Sequence, residues 1–103
     1  MNIRNIDALA SSAEKASQFL KSIASPQRLR ILCAVMEHEL SVGDIGKAVS
    51  ASQSVVSQHL ALMRREGLVQ PRRDGQTIYY RLADQNVVEI FKTLGSIFCG
   101  GLE

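Results

Sequence analysis

Two capped helical segments, separated by a very short turn, constrain the fold of this chain more than any other feature. The stretch "SVGD" has the form of a capping box, so Ser41 and Asp44 predict the start of a short helix. The turn "SAS" follows, and Ser52 then suits the cap of another helix that continues to Glu66. Residues 41–66 are therefore predicted to form a helix–turn–helix.

Long apolar stripes mark both ends of the chain. Over residues 6–24 apolar side chains recur at spacings of three and four, which predicts a helix with one narrow apolar seam. Residues 84–99 place a broad apolar band on a final helix. A core of this size cannot easily cover both stripes. We therefore expect these two helices to be dimerisation helices that pack against a second copy of the chain.

A further helix is predicted between the first stripe and the helix–turn–helix. Ser25 and Pro26 suit its start, because serine caps helices and proline is well tolerated at the first helical position. The helix is expected to continue to about Glu37. Its apolar spacing places Cys33 on the face that points toward the core.

A β-hairpin is predicted over residues 68–82. Gly67 is expected to end the preceding helix, since glycine readily adopts the left-handed conformation. Two short extended runs follow, joined by "RDGQ", and Asp-Gly between such runs is a strong hairpin signal. The predicted fold is thus mainly helical with one β-hairpin, in a single domain spanning residues 1–103.

Length and composition restrict the class of protein. A chain of 103 residues with 46% hydrophobic and 21% charged residues is typical of one globular domain. Its longest uninterrupted apolar run covers only residues 31–36, too short for a membrane span or a signal peptide, so we expect a cytoplasmic protein. The sequence shows no Gly-rich phosphate loop, no usefully spaced acid pair and no histidine beside a cysteine, which argues against an enzyme.

Positive charge is concentrated in the second half of the chain. Between residues 58 and 81 there are five arginines and only two acidic residues, although the net charge of the whole chain is only +2. Such a cluster indicates a polyanion as partner. A solvated face that keeps the protein in solution is an equally good interpretation of the charge alone.

The helix after Ser52 supports the polyanion interpretation. Val56, Leu60 and Met63 share its core side, and the opposite side offers short neutral donors and acceptors with arginine toward the end. Neutral amide and hydroxyl groups can read base edges, whereas arginine neutralises phosphate. The residues of this face and its flanks are Gln53, Ser54, Ser57, Gln58, His59, Ala61 and Arg65.

The stretch "SQSVVSQHLALMRREGLV", followed by "GQTIYYRL", resembles the winged helix–turn–helix of the ArsR/SmtB family of bacterial repressors. The resemblance covers nearly the whole chain. It implies a homodimer joined by the first and last helices, which binds double-stranded operator DNA and releases it on sensing an effector. It also implies base-reading positions at Gln53, Ser54, Ser57, Gln58 and His59, and wing contacts at Arg72, Arg73 and Gln76.

Metal sensing, which many members of that family perform, is not expected here. Ser41 and Gly43 stand where one type of family site has cysteines, and Asn86 stands where another type has a histidine, although Asp84 is present. His38 lies between two glutamates, but consecutive residues of a helix point in different directions, so we interpret it as a surface residue. No metal and no cofactor is predicted.

The two cysteines, Cys33 and Cys99, allow two interpretations. Each alone is more typical of a small buried hydrophobic residue than of a reactive thiol. Together they resemble the pair through which a subgroup of the ArsR/SmtB family senses reactive sulfur species, such as persulfides and polysulfides, or oxidants. The resemblance thus implies a disulfide or polysulfide switch. The alternative is a regulator with inert cysteines that responds to another ligand or metal, or that is constitutive.

Overall fold

The computed structural model describes residues 3–100, with side chains from residue 5 onward. It contains six helices and three strands in this part of the chain, and it confirms the predicted fold class, mainly helical with a β-hairpin. In chain order the elements are α1 (Ile3–Ser11), α2 (Ala13–Ile23), α3 (Pro26–Ala34), β1 (Leu40–Ser41), α4 (Val42–Val49), α5 (Gln53–Arg65), β2 (Val69–Asp74), β3 (Thr77–Leu82) and α6 (Asn86–Phe98).

The prediction of one uninterrupted helix over residues 6–24 is wrong, because the chain leaves the helical conformation at Ser12. There φ is −106° and ψ is 18°, and α1 ends one residue earlier. The hydroxyl of Ser11 donates to the carbonyl of Ala8 at 3.0 Å. Serine side chains that bond to the preceding turn compete with the backbone ladder and commonly bend helices. Two serines in succession therefore divide the apolar seam between α1 and α2.

Serine caps begin the next three helices, as the sequence predicts. Ser25 accepts a hydrogen bond from the backbone N–H of Arg28 at 3.0 Å, which starts α3. Ser41 and Ser52 accept in the same way from the third residue beyond them, at 3.1 and 3.2 Å. Each cap satisfies one of the free amides of a helix N-terminus. Helix α3 ends at Ala34, before the expected end near Glu37.

A close backbone approach sets the angle between α4 and α5. The backbone N–H of Ala51 donates to the carbonyl of Gly46 at 2.9 Å, and Ser50 adopts a left-handed conformation with φ of 56°. A Cβ at position 46 would lie only 2.9 Å from the carbonyl oxygen of Ala51. Glycine is therefore needed there to let the turn pass close to the helix.

The hairpin belongs to a three-stranded antiparallel sheet in the order β1-β3-β2. Strand β1 pairs Leu40 with Tyr80 and Ser41 with Tyr79, and sequence analysis missed it because two residues carry no periodic signal. Strand β2 extends to Asp74 and so includes the first two residues of the predicted connection "RDGQ". Gly75 opens the two-residue turn with φ of 62°, a conformation natural for glycine at this position of a hairpin.

The core is centred on the inner face of α5. Val56, Leu60 and Met63 have no exposed surface, as their spacing of four and three residues predicts. They belong to one apolar cluster that also contains Ile31 and Leu32 of α3. The remaining buried apolar members are Ile23, Val35, Ile45, Val49, Leu68, Val69, Leu82 and Val87. Every helix from α2 to α6 thus contributes to the support of α5.

A polar contact fixes the end of α5 to the preceding helices. The guanidinium of Arg28 donates to the carbonyl of Ser22 at 2.9 Å and lies 3.5 Å from the carboxylate of Glu66. The Arg28 side chain is 15% exposed and that of Glu66 is 41% exposed, so only the Arg28 end of the contact is shielded from bulk water. It joins the end of α2, the start of α3 and the C-cap of α5.

Apolar side chains remain uncovered at both ends of the chain. On α1 and α2 about half of the surface of Ile6, Leu9 and Leu20 is exposed. On α6 the exposure increases along the helix, from 0% at Val87 to 65% at Ile97 and 77% at Phe98. Within residues 3–100 no helix has both the length and the hydropathy to cross a membrane.

Two leucines of α5 provide a matched test of this packing. We expect Leu60→Ala to lower the free energy of unfolding by about 2–5 kcal/mol, because it opens a cavity in the core. Leu62→Ala is the control, since Leu62 lies on the same helix but is 39% exposed, and we expect a change well under that range. Urea unfolding of both variants at one protein concentration measures the difference. Equal losses would contradict the assignment of the inner face.

Candidate nucleic-acid interface and thiol groove

The outer face of α5 is presented to solvent because its inner face is fixed in the core. Five of the residues predicted to read DNA or contact phosphate lie on this helix with exposed side chains. They are Gln53, Ser54, Ser57, Gln58 and Arg65. No acidic residue lies in the first turn, and two arginines occupy the last. The structure therefore brings these predicted residues together on one uncharged-to-basic surface.

His59 is placed differently from its predicted neighbours. Its side chain is half-buried, and its Nδ1 is the one buried side-chain nitrogen or oxygen without a hydrogen-bond partner in the described part of the chain. His59 thus lies at the edge of the α5 outer face, turned partly toward the body of the protein.

The wing, residues 69–82, places Arg73 and Gln76 in exposed positions beside the hairpin turn. Within residues 3–100 no hydrogen bond or ion pair ties the guanidinium of Arg73 to another side chain. Arg73 is therefore available for an external anion. Leu68 and Val69, at the junction between α5 and the wing, are buried in the core. They anchor the first strand of the wing next to the end of α5.

Arg72, also predicted as a wing contact, already has an intramolecular partner. Its Nε and Nη2 donate to the carboxylate of Glu39 at 3.0 and 2.6 Å, and a second Nε contact measures 3.1 Å. The guanidinium carbon also lies 4.8 Å from the ring centroid of Tyr79, within the range of a cation–π contact. The fork of Arg72 is thus engaged within the chain.

Sequence analysis missed the partner residues of this network. Glu39 lies 33 positions from Arg72, and nothing in the local pattern couples them. On the same sheet face the side chains of Gln70 and Arg81 pair across the strands, with Arg81 Nη2 donating to Gln70 Oε1 at 2.6 Å. The alternation of polar residues along the hairpin was the available signal, but it does not identify which of them pair.

The electrostatics of Glu39 follow from its neighbours. Its pKa is lowered, chiefly by the hydrogen bonds from Arg72, with smaller contributions from the charges of Arg72 and Arg81. Partial desolvation opposes this shift. Because the folded-state pKa is depressed, the contact stabilises the fold above the ordinary carboxyl pKa and is lost as the pH falls through the lowered value.

The expectation that Cys33 points into the core is wrong. Its sulfur side is exposed, whereas Ile31, Leu32 and Val35 around it are buried. The helical spacing allowed Cys33 at the edge of the apolar face, and the buried positions on α3 are filled by the larger side chains. Cys99 is likewise exposed, at the C-cap of α6, where its N–H donates to the carbonyl of Gly95 at 2.9 Å.

A groove of about 490 Å³ lies between the end of α3 and α6. Cys33 contributes to its lining together with Met36 and His38 on one side and Phe91 and Lys92 on the other. The pKa of Cys33 is raised above the ordinary thiol value, first by partial desolvation and second by the negative charge of the Cys99 thiolate.

The positions examined for metal binding have structural roles instead. Ser41 caps α4, and the carboxylate of Asp84 accepts a hydrogen bond from the backbone N–H of Asn86 at 2.9 Å. His38 is exposed, as predicted. Among the residues that the structure describes, no three histidine, cysteine, aspartate or glutamate side chains are grouped closely enough to hold a metal ion.

The chain is similar to known bacterial regulatory proteins. Residues 25–70 match the sequence profile described as "Bacterial regulatory protein, arsR family". The chain is similar to the transcriptional activator HlyU of Vibrio cholerae, with 39% identity over 92% of this chain and 88% of HlyU. It is also 33% identical to the biofilm growth-associated repressor of Xylella fastidiosa over 84% of this chain and 76% of that protein. These relatives are transcriptional regulators rather than enzymes.

Solved structures give the same result for the fold. The crystal structure of the repressor BigR from Xylella fastidiosa superposes with a TM-score of 0.85 at 30% identity, over 96% of this chain and 98% of BigR. A homodimeric winged helix-turn-helix DNA-binding domain from Mycobacterium bovis superposes with a TM-score of 0.72 at 27% identity, over 94% of this chain and 86% of that domain.

The charge of Cys99 is expected to have a measurable effect on the pKa of Cys33. We expect Cys99→Ser to lower the pKa of Cys33, because it removes the negative neighbour. The pKa should stay above the ordinary thiol value, since desolvation, the larger cause, remains. The pH dependence of iodoacetamide alkylation, followed for the Cys33 peptide by mass spectrometry, measures this shift. Ser96→Ala, at an exposed position of α6, is the control. An unchanged alkylation profile of Cys33 in Cys99→Ser would contradict an effect of the Cys99 charge on Cys33.

Proposed function

Because the chain belongs to the arsR family of bacterial regulatory proteins, we propose that it is a homodimeric repressor that binds operator DNA and releases it when Cys33 and Cys99 are bridged. The observation that carries the DNA-binding part is the outer face of α5, which is exposed, free of acid and opposite a fully buried stripe. The observation that supports the switch is that both thiols are exposed, Cys33 on α3 and Cys99 at the C-cap of α6.

Base reading is assigned to the neutral part of the α5 outer face. Amide side chains can donate and accept at one base edge, and serine hydroxyls adapt to either role. Gln53, Ser54, Ser57 and Gln58 provide these groups along the first half of the helix, with His59 at the edge. The N-terminus of α5 also directs its free N–H groups and the positive end of its dipole toward the DNA backbone.

Phosphate binding is assigned to Arg65 at the end of α5 and to the wing. Arg73 and Gln76 lie exposed next to the hairpin turn, where a backbone beside the bound groove would pass. Arg72 belongs to the same wing, but its guanidinium is held by Glu39, so its contribution is considered separately below. Contacts of this kind give affinity that decreases with salt, because each neutralised phosphate releases counterions.

Dimerisation through the terminal helices is supported by their uncovered apolar side chains. Burial of this apolar surface against a second copy of the chain would stabilise an interface. The residues concerned are Ile6, Leu9, Leu20, Ile97 and Phe98. A two-fold dimer would present two α5 helices about 34 Å apart, the separation of successive major grooves on one side of the duplex. Because its DNA partner lies there, the proposed site of action is the cytoplasm.

The proposed sulfur chemistry requires only the two cysteines and an organic persulfide, which supplies the added sulfur. Each cysteine thiolate attacks the sulfane sulfur of one persulfide, forming a cysteine persulfide and releasing the parent thiol. The outer sulfur of one cysteine persulfide then attacks the Sγ atom of the other and displaces the outer sulfur of that second persulfide. A trisulfide forms between the two cysteines, and the displaced sulfur leaves with both protons as H₂S. If only one cysteine is persulfidated, attack by the second thiolate yields a disulfide and H₂S. No other oxidant is required in either case.

The length of the bridge bears on the choice of effector. A direct disulfide needs Cα atoms within about 7 Å, whereas an inserted sulfur extends the reach by roughly 2 Å. A polysulfide can therefore join α3 and α6 with less displacement than a disulfide. Because α3 packs against the helix–turn–helix and α6 carries uncovered apolar surface, a bridge between them would change how the two α5 helices are spaced.

The alternative is a regulator of the same family whose cysteines are inert, with another ligand or metal as effector or with none. The raised pKa of Cys33 favours this alternative, because the protonated thiol is the less nucleophilic form. Measurement of DNA binding in the presence of a persulfide donor separates this alternative from the thiol switch. In the alternative, DNA affinity is unchanged by a persulfide donor that modifies the thiols.

Substitutions on α5 and the wing test the division between base reading and phosphate contact. A duplex selected by the protein from a random-sequence library serves as probe. We expect Gln58→Ala to lose about 1–3 kcal/mol of discrimination at one base pair, because an amide contact to a base edge is removed. Arg73→Ala should weaken binding to all sequences and reduce the salt slope by about one. The reverse pattern would show that the two roles are exchanged.

Single cysteine variants test the switch on the same duplex. We expect a glutathione persulfide donor to weaken binding by the wild type about 5- to 150-fold, the range of ordinary allosteric coupling. Cys33→Ser and Cys99→Ser should each abolish the response, because neither can form the bridge, and Ser96→Ala should retain it. Mass spectrometry of the treated wild type counts the sulfur atoms added. Release of DNA by both single cysteine variants would refute the switch.

A further inference from the structure

We propose that Arg72 and Glu39 are positioning residues of the wing, and that Arg72 acts on DNA binding through this pair rather than through a phosphate contact. The proposal rests on the proposed DNA-binding function. It assigns to Glu39, which lies outside the helix–turn–helix and the hairpin, a part in placing the free cation Arg73.

The pair spans the whole sheet. Glu39 directly precedes β1 at one edge, Arg72 lies on β2 at the other edge, and the central strand β3 runs between them. Tyr79 of β3 is the registered neighbour of both Ser41 on β1 and Arg72 on β2. The long side chain of Arg72 lies over the Tyr79 ring and reaches the Glu39 carboxylate beyond it. The contact therefore ties the outer strand to the chain on the far side of the sheet.

The outer strand needs such a tie. Beyond Val69, which is buried, β2 is half-buried or exposed, and the hairpin turn has no covering layer. Strand β1 pairs with β3 at only two positions, Leu40 with Tyr80 and Ser41 with Tyr79, so from Tyr79 to the turn the described hairpin is a two-stranded ribbon. A two-stranded ribbon is only marginally stable alone. The Glu39–Arg72 contact adds a side-chain connection between β2 and the residue before β1, and β1 leads directly into α4 of the helix–turn–helix.

The geometry of the contact suits positioning better than capture of phosphate. Both donating nitrogens of the Arg72 fork that face Glu39 are used, with the shortest contact at 2.6 Å. Planar forks that meet carboxylates in this way fix direction as well as distance. Binding of a phosphate by the same N–H groups would require the carboxylate to be displaced. The adjacent Arg73 has no such competitor among the described residues.

Amide hydrogen exchange of the wing tests the pair without DNA. We expect Arg72→Ala, Arg72→Lys and Glu39→Gln each to accelerate exchange at residues 72–79, because lysine keeps the charge of arginine but loses its fork. The Arg72→Ala/Glu39→Gln double variant should exchange no faster than either single variant, and Arg73→Ala is the matched control that should exchange like the wild type. Unchanged exchange in Arg72→Ala and Glu39→Gln would overturn the proposal.

Binding to the selected duplex separates positioning from direct contact. A positioning role predicts that Arg72→Ala weakens binding about two- to fivefold while the salt slope stays that of the wild type, and that this loss is small in the Glu39→Gln background. Arg73→Ala should instead reduce the slope by about one. A slope reduced by about one in Arg72→Ala, with an equal effect in both backgrounds, would identify a direct phosphate contact and overturn the proposal. If selection yields no duplex, the DNA-binding function fails, and hydrogen exchange alone still decides whether the pair holds the wing.

Discussion

The burial of one stripe of α5 is the constraint on which the rest of the structure depends. Val56, Leu60 and Met63 have no contact with water, so the helix cannot rotate without exposing them. The side of α5 opposite these three residues is therefore fixed toward solvent, and its glutamines and serines are exposed. Specificity for DNA in this protein would thus begin with an apolar interaction that touches no DNA. The contact of Arg28 with Ser22 and Glu66 fixes the far end of the same helix.

The positive charges of the chain do not form one uniform basic surface. Arg28 is used inside the helical body, Arg72 is bound to Glu39, and Arg81 is bound to Gln70. Arg65 and Arg73 remain exposed at the end of α5 and near the turn of the hairpin. The basic cluster of the sequence therefore divides into arginines that shape the protein and arginines that can meet a polyanion. Charge counting cannot make this division, because it depends on which carboxylates and amides the fold brings near.

The thiols occupy a place where chemistry can affect packing. Cys33 is near the end of α3, and the loop after it continues through Met36 and His38 of the groove to Glu39 before the sheet begins. Cys99 is at the C-cap of α6, next to Ile97 and Phe98, which are 65% and 77% exposed. A bond between these sulfurs would thus join the helix that supports the helix–turn–helix to the helix that supplies uncovered surface. Partial desolvation keeps Cys33 protonated more than an ordinary thiol.

The sequence by itself determined the features that depend on neighbours along the chain. Ser25, Ser41 and Ser52 cap helices within three residues, and the spacing of Val56, Leu60 and Met63 defines an inner face whatever packs on it. Together they were sufficient to predict the helix–turn–helix and the exposed outer face of α5. Tertiary structure alone decided the strand β1, the outward position of Cys33 and the partner of Arg72. These depend on contacts between distant segments or on competition for space in the core, and no local pattern records either.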